Sequence, residues 1–217
     1  MAQSRRMEWL QLVYKVPADP SRKRTYIWRQ VRGLGAVYLQ DACCVLPRTD
    51  AAEQALRQIA AKVREFGGEA MLSVLGPAEP GWEERLVAIL NRARDEEYEE
   101  LLDTTERLEE EIARESRKDK FTFAALEEIE DGYDRLERWL ERVRARDLFG
   151  APGGHKADER LAQARTKLEA FAEQVQRREH IATGGNATVP QLEAAGDYDG
   201  AVKGPGTADE RRDDAVV

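Results

Sequence analysis

The stretch from Ser21 to Pro47 places the strongest constraint on what this chain can fold into. Its first part predicts a helix, and Ser21 is a candidate N-cap because its hydroxyl can accept a hydrogen bond from a free amide in the first turn. The apolar residues of this part recur at the spacing of one buried helix face, and they are Ile27, Val31 and Leu34. The stretch therefore begins with an amphipathic helix.

The second part of the same stretch predicts a β-hairpin. Gly33 and Gly35 can end the helix, since glycine adopts the left-handed backbone conformation without steric cost. Two short apolar segments follow at 36–40 and 42–47, and Gln40-Asp41 joins them. A helix that leads directly into a hairpin is half of a recognisable α+β unit.

The flanking segments complete that unit. Residues 8–16 alternate apolar and polar side chains, as a half-buried strand does. After Pro47, Thr49 or Asp50 can cap a second helix, and residues 70–75 form a fourth apolar segment after Gly67 and Gly68. The order β-α-β-β-α-β predicts a ferredoxin-like domain over residues 8–77, with two helices on one face of a four-stranded antiparallel sheet.

From Trp82 onward the apolar period becomes helical. The pattern predicts a long helix over 81–117, a second helix that Thr122 caps, and a third over 156–181. The second helix has a coiled-coil-like seam with charged flanks, formed by Leu126, Ile129, Tyr133, Leu136, Leu140 and Val143. We expect long antiparallel helices that pack as a helical hairpin or bundle over residues 81–181.

Charge is unevenly distributed along the chain. The net charge is −8, and 35% of the residues are charged. Residues 1–35 nevertheless carry eight basic against two acidic side chains, whereas residues 182–217 carry three basic against seven acidic ones. The last segment is rich in Gly, Ala and Asp and poor in large apolar residues, so we expect a disordered acidic tail there.

The sequence predicts a cytoplasmic protein. No apolar run approaches the ~20 residues that a membrane helix needs, so no membrane partner is expected. Arg5 and Arg6 are not followed by the apolar core of a secretion signal. The two cysteines, Cys43 and Cys44, are neighbours on one predicted strand, where consecutive side chains point to opposite faces, and we expect no disulfide between them.

The basic side chains of the first helix are the strongest candidates for a binding site. Guanidinium groups can bind phosphate or another tetrahedral oxyanion, and an aromatic ring beside them can stack on a base or lie under an arginine. The alternative is a solvated helix face whose charges pair with acids elsewhere in the chain. The candidate residues for anion or nucleic-acid binding are Arg22, Lys23, Arg24, Trp28, Arg29 and Arg32.

Other chemistry has weaker support in the sequence. Cys43 and Cys44 are candidate redox residues, with two small strand side chains as the simpler interpretation. The carboxylate runs of the long helices lack a histidine at the spacing of helical di-metal sites, so we expect ion-paired surfaces and no metal. The sequence has no phosphate-binding loop, nucleophile elbow or triad spacing. We therefore expect neither an enzyme nor a bound cofactor.

Two separated blocks resemble the amino-terminal domain of the ChrB family, whose members are encoded beside chromate efflux transporters. One is the Pro-Ser-Arg, Trp-Arg and Leu-Gly-Ala run between Pro20 and Ala36, and the other is Arg-Asp-Leu-Phe-Gly-Ala-Pro at 146–152. The resemblance covers roughly residues 8–152. The first block is also similar to the central domain of PaaX-type repressors, which has a ferredoxin-like fold.

The resemblance implies a chromate-responsive regulatory protein that controls transcription of chromate efflux genes. It implies DNA and a chromate effector as candidate partners. Full-length family members continue into a second, carboxy-terminal domain, whereas residues 183–217 here are a low-complexity tail, so a separately encoded second-domain partner is one candidate. A homodimer is another, because ferredoxin-like sheets often dimerise. The alternative is a structural or interaction module whose helical seam, through Leu126, Leu136 and Leu140, docks another protein.

Overall fold

The computed structural model of this chain describes residues 7–76 and 79–184, with side chains described as far as Ile181. In chain order the elements are β1 (Trp9–Lys15), α1 (Ser21–Gly33), β2 (Val37–Gln40), β3 (Cys43–Pro47), α2 (Asp50–Glu65), β4 (Glu69–Leu75), α3 (Trp82–Arg117), α4 (Phe123–Arg144) and α5 (Gly153–Gly184). The protein is thus an α+β protein, as expected. The predicted disorder over 182–217 concerns residues that lie almost wholly outside this description.

The four strands form one sheet in the order β2-β3-β1-β4, and all neighbouring strands are antiparallel. β1 occupies a central position between β3 and β4, and its Leu10 and Leu12 are fully buried. Their side chains meet Ile27 and Val31 of α1 and Leu56 of α2 in one apolar core. The predicted four-stranded antiparallel sheet and the two helices packed on it are confirmed, and the finer ferredoxin-like assignment stays a prediction.

The structure confirms the predicted N-cap of α2 but not that of α1. Thr49 caps α2, since its Oγ1 accepts a hydrogen bond from the Ala52 amide at 3.0 Å. The predicted Ser21 cap is wrong, because Ser21 is already the first residue of α1 and Pro20 occupies the cap position with extended backbone angles. At its other end α1 is closed by Gly35, whose φ of +80° is left-handed.

The opposite face of the sheet receives the first turns of α3. Leu86 and Leu90 pack against Trp9, Val37 and Val45 there. The Trp9 ring also lies 6.0 Å from the Phe149 ring in a stacked arrangement and 6.0 Å from the Trp82 ring in an edge contact. The first turns of α3 therefore pack on the sheet, and the rest of its length packs with α4 and α5, which together with α3 we call the helical part. The division into domains at 8–77 and 81–181 stays a prediction.

Three helices, α3, α4 and α5, pack on one another around a second core. Thr122 caps α4 through a bond from the Ala125 amide, and the predicted seam of α4 is buried along its whole length. α5 begins three residues before the predicted start, at Gly153. The expectation of antiparallel helices holds for α4 against its neighbours, but α3 and α5 run in the same direction.

The parallel course of α3 and α5 follows from their cross-contacts. Asp95 accepts from the Gly153 amide at 2.7 Å, and Glu109, further along α3, pairs with Lys167 of α5 at 3.1 Å. From the first contact to the second, the residue number increases in α3 and in α5, so the two helices are parallel. The 145–152 connection crosses the end of the bundle and returns the chain beside the sheet, and this crossing places Arg146 and Phe149 at the junction of the two parts.

The chain just after α1 comes close to the helical part at Gly35. A Cβ at this position would lie 2.9 Å from Cβ of Arg146 and 3.0 Å from Nη1 of Arg94. Gly33, two residues earlier, has nothing within 4 Å of the corresponding point. The two glycines therefore provide a matched pair for testing how tightly this junction is packed.

We predict that Gly35→Ala destabilises the protein by about 1–2 kcal/mol from the left-handed backbone alone, with the contact to Arg146 adding to this cost. Gly33→Ala should leave stability unchanged or raise it by up to about 1 kcal/mol, because alanine is the better helix former. Urea unfolding followed by circular dichroism measures both variants. Equal stability of the two variants would contradict both the left-handed backbone and the close approach of Arg146 at Gly35.

Candidate anion-binding site

The predicted basic residues of α1 fall into three groups in the structure. Arg22, Arg24 and Arg29 are exposed, and none has an acidic partner within 4 Å in the described part of the chain. Lys23 turns to the other side of the helix, where its Nζ donates to the carbonyl oxygen of Phe66 at 3.3 Å. Trp28 and Arg32 form the third group, on the side of α1 that faces α3. Arginines without acidic partners argue against the alternative of an internally paired surface.

Trp28 lies under an arginine, as one of the two sequence interpretations expected. Cζ of Arg32 is 5.1 Å from the Trp28 ring centroid, which is within the range of a cation–π interaction. Both side chains remain exposed, and 44% of Trp28 is accessible to solvent. The pair therefore presents a cation and an aromatic edge together at the surface.

These two residues form one wall of a cleft of about 310 Å³ between α1, β2 and α3, which we call the junction cleft. Its polar and aromatic lining consists of Trp28, Arg32, Tyr38, Arg92, Arg94 and Glu96. Three arginines thus face one glutamate. A cleft of this size with convergent positive groups is suited to a small anion.

Arg94 is the least expected member of this lining. Its side chain is only 4% exposed, yet it carries a full charge. Nη2 donates to Oε1 of Glu97 at 2.8 Å, whereas Nε and Nη1 are buried and have no hydrogen-bond partner among the residues that the structure describes. Burial lowers the pKa of Arg94, and the nearby positive charges of Arg146 and Arg32 lower it further against the opposing effect of Glu97.

Glu97 holds two arginines at once. Its second carboxylate oxygen pairs with Arg146, which follows α4 in the chain, while its first holds Arg94. Next to this pair, the Asp147 carboxylate accepts from the Ala151 amide at 2.9 Å and from the Tyr98 hydroxyl at 3.1 Å. These contacts tie Arg94, which lines the cleft, through Glu97 to the connection between α4 and α5.

Tyr38 closes the cleft on the side of β2. Its hydroxyl lies 2.7 Å from the hydroxyl of Tyr14, and burial raises the pKa of both phenols, so neither adds a negative charge to the lining. The cleft therefore keeps its positive balance across the physiological pH range.

The sequence did not point to Arg92, Arg94 or Glu97. Arg94 falls four residues after Leu90 and four before Tyr98, on the buried face of α3. The signal available in the sequence was that Arg94 is a charged residue at a position of the apolar repeat. A charged residue is seldom buried without a specific partner. Its partners come from distant parts of the chain and could not be read from spacing.

The cysteine pair is arranged as the strand geometry predicts. Cys43 and Cys44 are both free thiols on opposite faces of β3, with Cys44 fully buried and Cys43 partly exposed. The Cys44 thiol contacts the Leu12 carbonyl oxygen at 3.7 Å, and burial raises its pKa to about 12. Cys44 is thus held as an unreactive thiol. A redox role for Cys43 stays a prediction.

We predict that iodoacetamide at pH 7.5 modifies the folded Cys44→Ser variant, which keeps only Cys43, and leaves the Cys43→Ser variant unmodified. The reason is that the thiolate is the reacting form, and Cys44 is both buried and protonated at this pH. Intact-mass spectrometry counts the labels, and labelling in urea provides the control that each remaining thiol can react. Equal labelling of the two folded variants would contradict the burial of Cys44.

In the carboxylate runs of the long helices, Glu97, Glu109 and Glu111 form ion pairs, whereas Glu96, Glu110, Glu127 and Glu128 are exposed and form none among the described residues. Glu109 is buried at 5% exposure and pairs with Arg160 at 2.6 Å and with Lys167. Within residues 7–76 and 79–184, no group of three His, Cys, Asp or Glu side chains is placed to hold a metal ion. The helices in that same range include none that is long and apolar enough to cross a bilayer.

The hypothesis of a docking seam needs correction. Leu126, Leu136 and Leu140 are 6%, 3% and 5% exposed, because α3 and α5 cover them. In the folded chain this seam is the core of the helical part and is not free to bind another protein.

The protein is thus an α+β protein with an arginine-lined cleft between its sheet and its helices. Residues 24–182 match the sequence family described as Protein ChrB, N-terminal. The chain belongs to this family, which confirms the resemblance and places the protein in the context of chromate resistance. No curated protein and no solved structure matches the chain. The similarity to PaaX-type repressors stays a prediction.

Proposed function

We propose that this chain is a regulatory protein of chromate resistance that binds DNA through the exposed arginines of α1. The family match supports the chromate-resistance context. The observation that carries the DNA-binding part is the group of exposed arginines at positions 22, 24 and 29, which lack acidic partners in the described structure although the chain as a whole is acidic.

The charge distribution supports one orientation of DNA on the protein. α1 has no acidic residue in its first turn and carries arginines along its exposed side. The helical part, in contrast, is rich in exposed Glu and Asp side chains, which repel phosphate. A duplex is therefore attracted to the α1 side, where arginines can contact the phosphate backbone and provide most of the binding free energy.

The proposal includes a ferredoxin-like assignment for residues 8–77. The strand order β2-β3-β1-β4 with two helices on one face is the arrangement of the split β-α-β unit. On this assignment α1 is the first crossover helix of the unit. It contacts the sheet with one side and leaves its arginines on the other.

A second candidate function is an interaction module, with a homodimer or a separately encoded second-domain partner as the binding protein. The seam of α4 cannot serve it, but the sheet offers another surface. Val13, Leu39 and Met71 are 37%, 40% and 60% exposed, and they project from the face of the sheet that α3 covers only in part. Protein partners, the non-enzymatic character and the cytoplasmic location all remain proposals.

We predict that replacing Arg22, Arg24 and Arg29 together by Gln reduces affinity for the DNA upstream of the chain's own gene. It should also reduce the slope of log K against log salt by roughly 3, because about one counterion-releasing contact is lost per arginine. Fluorescence anisotropy at several salt concentrations measures both quantities. Adding chromate to the wild-type titration should release the DNA if the protein acts as a chromate-responsive repressor.

The matched control removes three exposed arginines of the helical part, Arg138, Arg142 and Arg177, and leaves the net charge equal to that of the α1 variant. This control should bind DNA as the wild type does, apart from a small general effect of charge. Equal loss in both triple variants would mean that binding depends on net charge and not on α1. Absence of binding by the wild type would contradict the proposal and direct attention to a partner protein.

A further inference from the structure

The junction cleft contains a positive charge that its own protein groups do not balance. Arg32 and Arg92 are exposed and have no acidic partner within 4 Å among the described residues. Arg94 shares its single partner, Glu97, with Arg146. Glu96 is the one acid in the lining. Like charges in a partly buried space repel one another strongly, because the local dielectric constant is low.

Arg94 also has unused hydrogen-bonding capacity. Glu97 fixes the orientation of its guanidinium through Nη2, and Nε and Nη1 remain without acceptors. A buried donor that has no acceptor costs free energy, so such groups call for a partner that the protein itself does not provide. An anion in the cleft would be such a partner.

We propose that the junction cleft is a binding site for one tetrahedral dianion of the chromate, sulfate and phosphate class, held by Arg32, Arg92 and Arg94. Arginine suits this ligand because its planar donors match the oxygen atoms of such an anion. The site itself is argued from geometry and charge. It rests on the proposed function only in that bound chromate would be the regulatory signal.

The bound anion would be reached from the exposed side of the cleft. Nε and Nη1 of Arg94 lie beneath the surface, so direct contact with them requires a local movement of lining side chains. Trp28 and Arg32 are the exposed lining residues on α1, and Arg32 has no ion-pair partner within the described part of the chain. Arg32 then moves from the Trp28 ring towards the anion, while Glu97 keeps Arg94 in position.

The cleft is separate from the exposed arginines at 22, 24 and 29 but shares α1 with them. An anion that draws Arg32 and Arg94 together acts on the contact between α1 and α3. This provides a physical route by which a small anion changes the presentation of α1 to DNA, since the two ligands bind different side chains of one helix and Arg29 lies one turn before Arg32.

Isothermal titration calorimetry of the full chain at low ionic strength tests the site. The titrants are sodium sulfate, phosphate, molybdate and chromate, and sodium perchlorate serves as a tetrahedral anion of single charge. We expect saturable binding of about one dianion per chain and much weaker binding of perchlorate, because the interaction energy grows with the charge of the ligand. Tighter binding of chromate than of sulfate would identify chromate as the regulatory signal. Equal affinity for the two anions would support a general oxyanion site.

The protein variants are Arg32→Gln and Arg92→Gln, which change exposed side chains and should fold normally. Each should weaken dianion binding about tenfold or more, since a charge-assisted hydrogen bond contributes roughly the free energy of one decade in affinity. Arg138→Gln, which removes one exposed charge on α4, is the control and should bind as the wild type does.

Absence of saturable binding for all four dianions would overturn the proposal, and so would equal affinity of the two cleft variants and the wild type. Equal weakening in Arg138→Gln would also overturn it, because the effect would then be one of net charge. DNA binding is measured separately through the α1 arginines. If the protein binds a dianion but no DNA, the result would therefore contradict the proposed regulatory function and support the anion site in the junction cleft.

Discussion

The arrangement of this protein depends on one carboxylate, that of Glu97, which holds Arg94 of the same helix and Arg146 from the connection after α4. Two guanidinium groups in a largely buried space repel each other, and the acid between them makes their proximity tolerable. Because Arg146 lies against Gly35 and Arg94 lines the cleft, this carboxylate also sets the distance between the sheet part and the helical part. The desolvation of these buried charges offsets much of their mutual attraction, so the ion pairs by themselves contribute little net stability.

The two sequence blocks that carry the family resemblance meet at this place. Gly35 belongs to the first block and Arg146 to the second, and a Cβ on Gly35 would contact Cβ of Arg146 at 2.9 Å. Phe149 of the second block stacks on Trp9, and Asp147 fixes the turn that leads into α5. The blocks are more than 100 residues apart in the chain, yet they form the two sides of one junction. Their physical role is to join two layers of structure that could otherwise pack in several ways.

Local patterns predicted local structure well in this chain. Three features are each determined by neighbours within a few residues, and each is confirmed. They are the alternation in β1, the spacing of three and four residues between the apolar side chains of α4, and the Thr caps of α2 and α4. The parallel course of α3 and α5 was not predicted, because it depends on how the 145–152 connection crosses the bundle. The candidate site was found in part. Arg32 and Trp28 lie on the predicted helix, whereas Arg92, Arg94 and Glu97 become visible only once α3 is placed against β2.

The continuous helix α3 has a mechanical consequence. Its first turns are fixed to the sheet by Leu86 and Leu90, its middle lines the cleft, and its remaining turns form the core of the helical part. A helix resists bending over such a length, so it acts as a lever with its fulcrum near Arg94. With a rise of about 1.5 Å per residue, a tilt of about 5° at Arg94 would displace the Arg117 end by about 3 Å. A change at the cleft too small to alter any strand would thus reach the far end of the molecule as a measurable movement.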